Sequence, residues 1–302
     1  MSSFTTTHLR FSIVVIELVG GEGLATCLSA LQKFDVEIIV VLKEACPQLQ
    51  ARFDQVRFEI QNEPVPLRRK SGVALASGDV VALIEDTTLP GDSLLNGLVS
   101  AFKDDNTLAA SGPVLIANHL PSRYQALACT EYGRYHPSVI FDHPHQQSQK
   151  TVERLPGNFI CYRREALASI LNEHSEGLVE GVINQRLLSK GGSLVMEPML
   201  ANTYNAEDPW SGRLATRFHH GWIYAGGQAE QKNLFACAVQ LFKSLLLPAV
   251  LSFRAIRCMS GMNGIRHPLK VRLWICLLET FWSAGEAVGS VSGAPKNMEH
   301  WR

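Results

Sequence analysis

Along the first hundred residues, apolar positions alternate between two patterns: unbroken runs of strand length, and recurrences at helical spacing. Phe11–Leu18 (FSIVVIEL) is rich in β-branched residues and closes on Gly20-Gly21, which predicts a strand apolar on both faces. Leu24, Cys27, Leu28 and Leu31 then fall at the spacing of an amphipathic helix over Leu24–Phe34. Val36–Leu42 (VEIIVVL) reads as a second buried strand and Val56–Ile60 as a third. A short helix over Leu67–Ala76 leads through Gly78 to Asp79–Ile84 (DVVALI), another fully apolar strand. Leu94–Phe102 predicts a helix, and Thr107–Ile116 a strand broken at Gly112-Pro113. Strands alternating with helices across short connections predict an α/β fold, with a mostly parallel sheet covered by helices on both faces.

The strand at Asp79–Ile84 runs directly into Glu85 and Asp86, then a Leu-Pro-Gly turn. Carboxylates at the C-terminal end of a buried strand sit where open α/β sheets bind ligands. Hard oxygen ligands there suit Mg or Mn carrying a substrate diphosphate, and the plainer reading is a solvated strand-to-loop corner. Neither GxGxxG nor GxxxxGK[ST] follows the first strand, so a dinucleotide site and a P-loop are disfavoured. Its LVGGEG loop carries no Lys or Arg, which also argues against a nucleotidyltransferase.

Ser122–Gln149 is rich in Tyr, His and Pro and reads as an irregular loop over a cleft. Its His136, His143 and His145 lack the i,i+4 spacing of helical metal ligands. LPGNFICYRREAL (Leu155–Leu167) predicts a turn at Asn158 into a short strand, with Arg163-Arg164 before the next helix. That turn is suited either to holding sugar hydroxyls or simply to entering an edge strand. Glu176–Gly191 predicts a helix with Glu180 in its first turns, where a carboxylate is favoured by the dipole and could act as a general base.

Lys plus Arg and Asp plus Glu both number 28 among 302 residues, so no basic field marks a nucleic-acid partner. Seven scattered cysteines without a CxxC pair argue for a reducing compartment and against a disulfide framework or zinc. The apolar run before Gly20 is too short for a signal peptide. Most long apolar runs fall in the last seventy residues, at Leu234–Met259 and Val271–Val288, both interrupted by charges. Their Lys, Arg, Trp and Phe content predicts helices at a membrane surface, the alternatives being a soluble helical pair, a dimer interface or a true span.

In this order the features resemble the family-2 glycosyltransferases of the GT-A fold. Arg69-Lys70-Ser71-Gly72, Ala76, Gly78-Asp79, Glu85-Asp86 and Pro90 fill the family's first block in outline. LPGNFICYRR resembles its acceptor-side strand, and EGLVEGVINQRLLSKGG the segment that supplies its catalytic acid. RLATRFHHG stands where the family often has Gln-x-x-Arg-Trp, here reduced to Arg217-Phe218 with Leu214 in the Gln position. The acid-x-acid metal motif is incomplete, with Ile84 in its first place, Lys70 replaces an Asn, and Glu44 is the nearest substitute for a missing base-contacting acid. The resemblance covers about residues 10–230 and divides the chain into a GT-A-like domain, 1–232, and a membrane-associated helical segment, 233–302.

It implies sugar transfer, with inversion, from a nucleotide-diphosphate donor to a polysaccharide, lipid-linked or glycoconjugate acceptor, at the inner face of the plasma membrane. Glu180 would be the catalytic base and Asp86 the metal ligand for Mg or Mn. Glu17, Arg69, Glu85, Asn158, Arg217 and His220 would contact the donor, with a solvated helix face as the plainer reading of the last two. A non-catalytic scaffold for polysaccharide assembly is the alternative the eroded motifs leave open.

Overall fold

The computed structural model describes residues 9–141, 148–173, 177–206, 210–229, 234–293 and 295. In chain order its elements begin β1 (Phe11–Ile16), α1 (Gly21–Leu31), β2 (Glu37–Leu42), α2 (Pro47–Arg52), β3 (Arg57–Ile60), α3 (Val65–Leu75) and β4 (Val80–Glu85). They continue with β5 (Thr88–Pro90), α4 (Leu94–Ala101), β6 (Thr107–Ser111), β7 (Val114–Ile116), α5 (Ser122–Tyr132) and α6 (Pro137–Ile140). Then come β8 (Lys150–Val152), β9 (Phe159–Arg163), α7 (Arg164–Asn172), α8 (Glu180–Ser189), β10 (Ser193–Met196) and β11 (Asn202–Tyr204). Three long helices close the described chain: α9 (Arg213–Ala229), α10 (Leu234–Ser260) and α11 (Pro268–Ser292).

The chain divides into two compact units, Met1–Pro113 with Gln147–Thr203, and Val114–Gln146 with Tyr204–Arg302. The first holds an eight-stranded sheet in the order β3-β2-β1-β4-β9-β6-β10-β8. β1 is central to its parallel part, pairing with β2 and β4, and β2 pairs with β3. β9 runs antiparallel between β4 and β6. LPGNFICYRR therefore enters an interior strand, not an edge, which fits the near-complete burial of Phe159, Ile160, Cys161 and Tyr162. β5 pairs with β11 in a small second sheet.

The inward stripe of α3 is Val65, Pro66, Arg68, Arg69, Gly72 and Val73, the i, i+3, i+4, i+7 set of an amphipathic helix. A Cβ on Gly72 would collide with the Val14 side chain of β1 and meet Val41 Cγ2 of β2 at 3.1 Å. Glycine there lets α3 lie directly on the sheet, and two arginines on the same stripe are carried in with it.

The second unit is helical, and its composition departs from the expected boundary at 232/233. α5 and α9 pack on α11 because their apolar faces meet it: Leu127 and Cys129 join Met259, Val271, Ile275 and Leu278 in one core. α5 also replaces the expected loop. Its Tyr and Gln content hid a run buried on every side, Tyr124 through Cys129, Gln125 included. His136 caps α6, its Nδ1 accepting from the Ser138 amide; His143 and His145 lie outside the described residues. Among the described residues no helix is long and apolar enough to cross a membrane.

Gly72→Ala should lower the unfolding free energy by about 1–3 kcal/mol, the usual cost of overpacking a tight contact. Urea denaturation followed by tryptophan fluorescence measures it; an unchanged midpoint would mean that α3 does not need the close approach.

Candidate active site

The C-terminal edge of β1 and β4 gathers Glu17, Arg69, Glu85, Asp86 and Glu180. Arg69, on the inward stripe of α3, has a side chain only 6% exposed. Its Nη2 lies 2.8 Å from Glu85 Oε1 at the end of β4, and its Nη1 pairs with Glu180 Oε1 at the start of α8. One guanidinium thus joins two carboxylates from distant parts of the chain. A planar fork suits this role, presenting N–H groups on separate edges to separate acceptors.

Glu180 is held there by the segment before it. α8 starts later than the Glu176–Gly191 periodicity predicts, and residues 174–176 lie outside the described set. Gly177 has φ +90°, and a Cβ on it would lie 2.5 Å from the Pro66 backbone. Leu178 N–H donates to Pro66 O at 2.8 Å. This strap ties the entry of α8 to the first turn of α3, which sets Glu180 beside Arg69. Gly157 completes the seat, since a Cβ there would come within 2.8 Å of Glu180 Oε1. Tyr162 lies close by: burial first, then the Glu180 charge, push its phenol well above the ordinary value. Its hydroxyl donates to Asn184 Oδ1 of α8 at 3.3 Å.

Asp86 turns away from this pair. It is 2% exposed, and its Oδ2 accepts from the Val19 and Gly20 amides at 3.0 and 2.7 Å. The carboxyl thereby fixes the β1–α1 loop, while its Oδ1 is buried without a hydrogen-bond partner. Burial pushes its pKa up to about 6, opposed by the loop amides. The acid that shares Arg69 with Glu180 is therefore Glu85 and not Asp86, the expected metal ligand, because successive residues at a strand end leave on opposite sides.

The other expected donor contacts separate. Glu17 lies at the same edge, its Oε2 accepting from the Lys43 amide at 2.7 Å. Asn158 is fully buried, donating through Nδ2 to Thr88 Oγ1 at 3.1 Å and Asn202 Oδ1 at 2.8 Å. It is a latch between β9, β5 and β11, and presents no surface to a sugar. Arg217 is buried within the helical unit, with Nη2 at 3.1 Å from Glu279 Oε1 and Nη1 at 3.7 Å from Glu131 Oε1. Its guanidinium also stacks 4.4 Å over the Trp282 ring. Burial raises the Glu279 pKa, and Arg217 opposes that rise. The Arg217 partners come from α5 and α11, so the packing of the unit accounts for this residue. His220 is half-buried one turn further along α9.

Arg68 escaped the reading of the sequence. Its Nη1 donates to Glu17 O at 2.6 Å and its Nε to Glu63 O at 3.1 Å, pinning the end of β1. The signal was present, since Val65, Arg68, Arg69 and Gly72 share one helical stripe.

Neither a protein-family model nor a curated protein matches this sequence. Among solved structures, the chain is similar to the mannosyltransferase PcManGT from Pyrobaculum calidifontis, in complex with GDP-Man and Mn2+. The TM-score is 0.55 at 12% identity, over 92% of this chain and 86% of that one. It also matches GalNAc-T7 with UDP, GalNAc and Mn2+ at TM-score 0.47 and 14% identity, over 67% of this chain and 45% of that chain. The fold is that of the GT-A glycosyltransferases, as the resemblance implied. On this fold, the carboxyl edge of the sheet carries the Glu85–Arg69–Glu180 bridge.

Two outcomes test these placements. Asp86 titrates near 6 in the folded protein against 3.8 unfolded, so the folded state binds the extra proton between those values. Its contribution is present below pH 3.8 and lost as pH rises through 6. Asp86→Asn should therefore gain on the wild type by on the order of 3 kcal/mol between acid and neutral pH, read by denaturation in EDTA. A gap that is flat with pH would refute the shift. Arg217→Met should cost about 3–5 kcal/mol by leaving Glu279 uncompensated, and Arg217→Met with Glu279→Met should recover most of it.

Proposed function

We propose that the chain transfers a sugar from a nucleotide-diphosphate donor to a hydroxyl of a saccharide or lipid-linked acceptor, with inversion, at the inner membrane surface. The observation that carries this reading is the meeting of Glu85, Arg69 and Glu180 at the carboxyl edge of the sheet. Its support from outside the chain is the fold shared with a mannosyltransferase described with GDP-Man and Mn2+.

The acceptor oxygen attacks the anomeric carbon as the bond to the diphosphate oxygen breaks, and the proton of the acceptor hydroxyl passes to Glu180. Glu180 is 18% exposed, open enough to meet a hydroxyl yet fixed on one side by Arg69. Arg69 keeps two acids together without mutual repulsion and holds Glu180 in one orientation. Glu17 and Arg68 stiffen the corner of β1 over which the nucleotide would lie.

Among the described residues a divalent cation would find its oxygen at Asp86, on the loop side of this edge and away from Glu180. The buried, unpartnered Oδ1 of Asp86 is an oxygen in need of a positive partner. No group of three or more His, Cys, Asp or Glu side chains that could hold a metal occurs among the described residues. Mg and Mn suit such a site, since they take one or two protein carboxylates and draw the rest from phosphate and water. Such an ion, when bound, neutralises charge on the departing diphosphate.

The decisive experiment is turnover of a panel of nucleotide sugars, with and without Mn. Glu180→Gln should lower the rate by about 10²–10⁴-fold, the usual contribution of a general base, with donor affinity preserved. Asp86→Ala should abolish the response to Mn. A protein that binds donors without turning any over would be a scaffold on this fold, and the proposal would fail.

A further inference from the structure

α10 and α11 each carry large apolar side chains that stay exposed among the described residues. Phe242, Leu245, Leu246 and Phe253 of α10 are 67, 71, 60 and 66% exposed. Leu269 and Leu273 of α11 are 71 and 64% exposed. At 3.6 residues per turn, positions 242, 245, 246 and 253 fall on one stripe of α10, so the exposure is a continuous ridge and not scattered side chains. The buried positions on α10, among them Ser244, Ser252, Ala255 and Met259, lie on the other side.

Along the stretch that carries this ridge the charges have one sign. From Leu234 to Leu278 the sequence has no Asp or Glu, while it has Lys243, Arg254, Arg257, Arg266, Lys270 and Arg272. All six cations are exposed. Lys243, Arg254 and Arg257 lie along one border of the α10 ridge on the same helical geometry. The first acid beyond this stretch is Glu279, which is buried and paired to Arg217. A chain of zero formal net charge has thus concentrated positive charge where its apolar side chains are most exposed.

We propose that α10 and α11 form a docking face for an anionic lipid surface, lying in the interface without crossing it. The proposal rests on the membrane-side placement above and names its partner. Apolar side chains inserting at the acyl boundary, with cations at headgroup level, are the defining pattern of interfacial helices. A second copy of the chain is a poor occupant, since symmetric pairing would set these cations against their equivalents, and Leu234–Leu278 holds no acid to answer them. A neutral apolar partner would leave the same cations desolvated and unpaired.

The test uses the full chain and vesicles, without donor or acceptor, so that its outcome is separate from sugar transfer. Sedimentation with phosphatidylcholine vesicles containing phosphatidylglycerol should give binding roughly tenfold or more tighter than to phosphatidylcholine alone, and weaker in high salt. Phe242→Ser with Leu245→Ser and Phe253→Ser should lose vesicle binding on both compositions, with an unchanged circular dichroism spectrum. Arg254→Glu with Arg257→Glu should lose the preference for the anionic vesicles. Equal affinity for both compositions, or binding indifferent to either set of substitutions, would overturn the proposal. So would absence of vesicle binding together with a dimer that the serine variant dissolves, which would make the face a seat for a second copy.

Discussion

The guanidinium of Arg69 is the point on which the first unit's chemistry depends. Two carboxylates, Glu85 and Glu180, come from a strand end and a helix start nearly a hundred residues apart, and the same side chain holds both. Without a cation between them, two acids at a half-buried edge would repel, and one would have to move or take a proton. With it, both carboxylates are held on one cation, and Glu180 keeps 18% of its side chain exposed. The arginine is itself nearly buried, so its own cost of leaving water is met by those two partners.

Everything around that contact serves to bring α3 and α8 to the same edge. Gly72 lets α3 lie flat on β1 and β2, which delivers Arg68 and Arg69 to the strand ends. The bond from Leu178 to Pro66 ties the entry of α8 to the entry of α3. Gly157, in the turn before β9, leaves room for the Glu180 carboxylate. Asp86 gathers the amides of the β1–α1 loop, and Asn158 joins β9 to the small sheet. These buried polar contacts make the edge rigid, because each group would be costly to leave unpaired.

The helical unit solves a related problem differently. Arg217 of α9 reaches Glu279 and lies over Trp282 of α11, and reaches Glu131 of α5, so one buried cation ties three helices together. Gly221 faces the Trp282 carbonyl closely, and Gly285 the Phe218 backbone, so α9 and α11 approach almost backbone to backbone. Among the described residues, the outer faces of α10 and α11 keep large apolar side chains exposed.

Much of this was legible in the sequence. The strands of the parallel sheet, the helices between them and the acids at the end of β4 follow from periodicity and position, since short β-branched apolar runs bounded by turn residues mark interior strands. Glu180 and Arg69 could be singled out, as could the charged, apolar character of the last helices. Tertiary structure alone decided which acid meets which base. Side chains at 85 and 86 leave the strand in opposite directions, so a single residue separates an acid that faces Glu180 from one buried under a loop. Asn158 and Arg217 read as ligand contacts because polar residues in motif positions look alike whether they face a cleft or a core. The division into units was likewise invisible, because α5 and α9 are committed to α11 by contacts that no local pattern encodes.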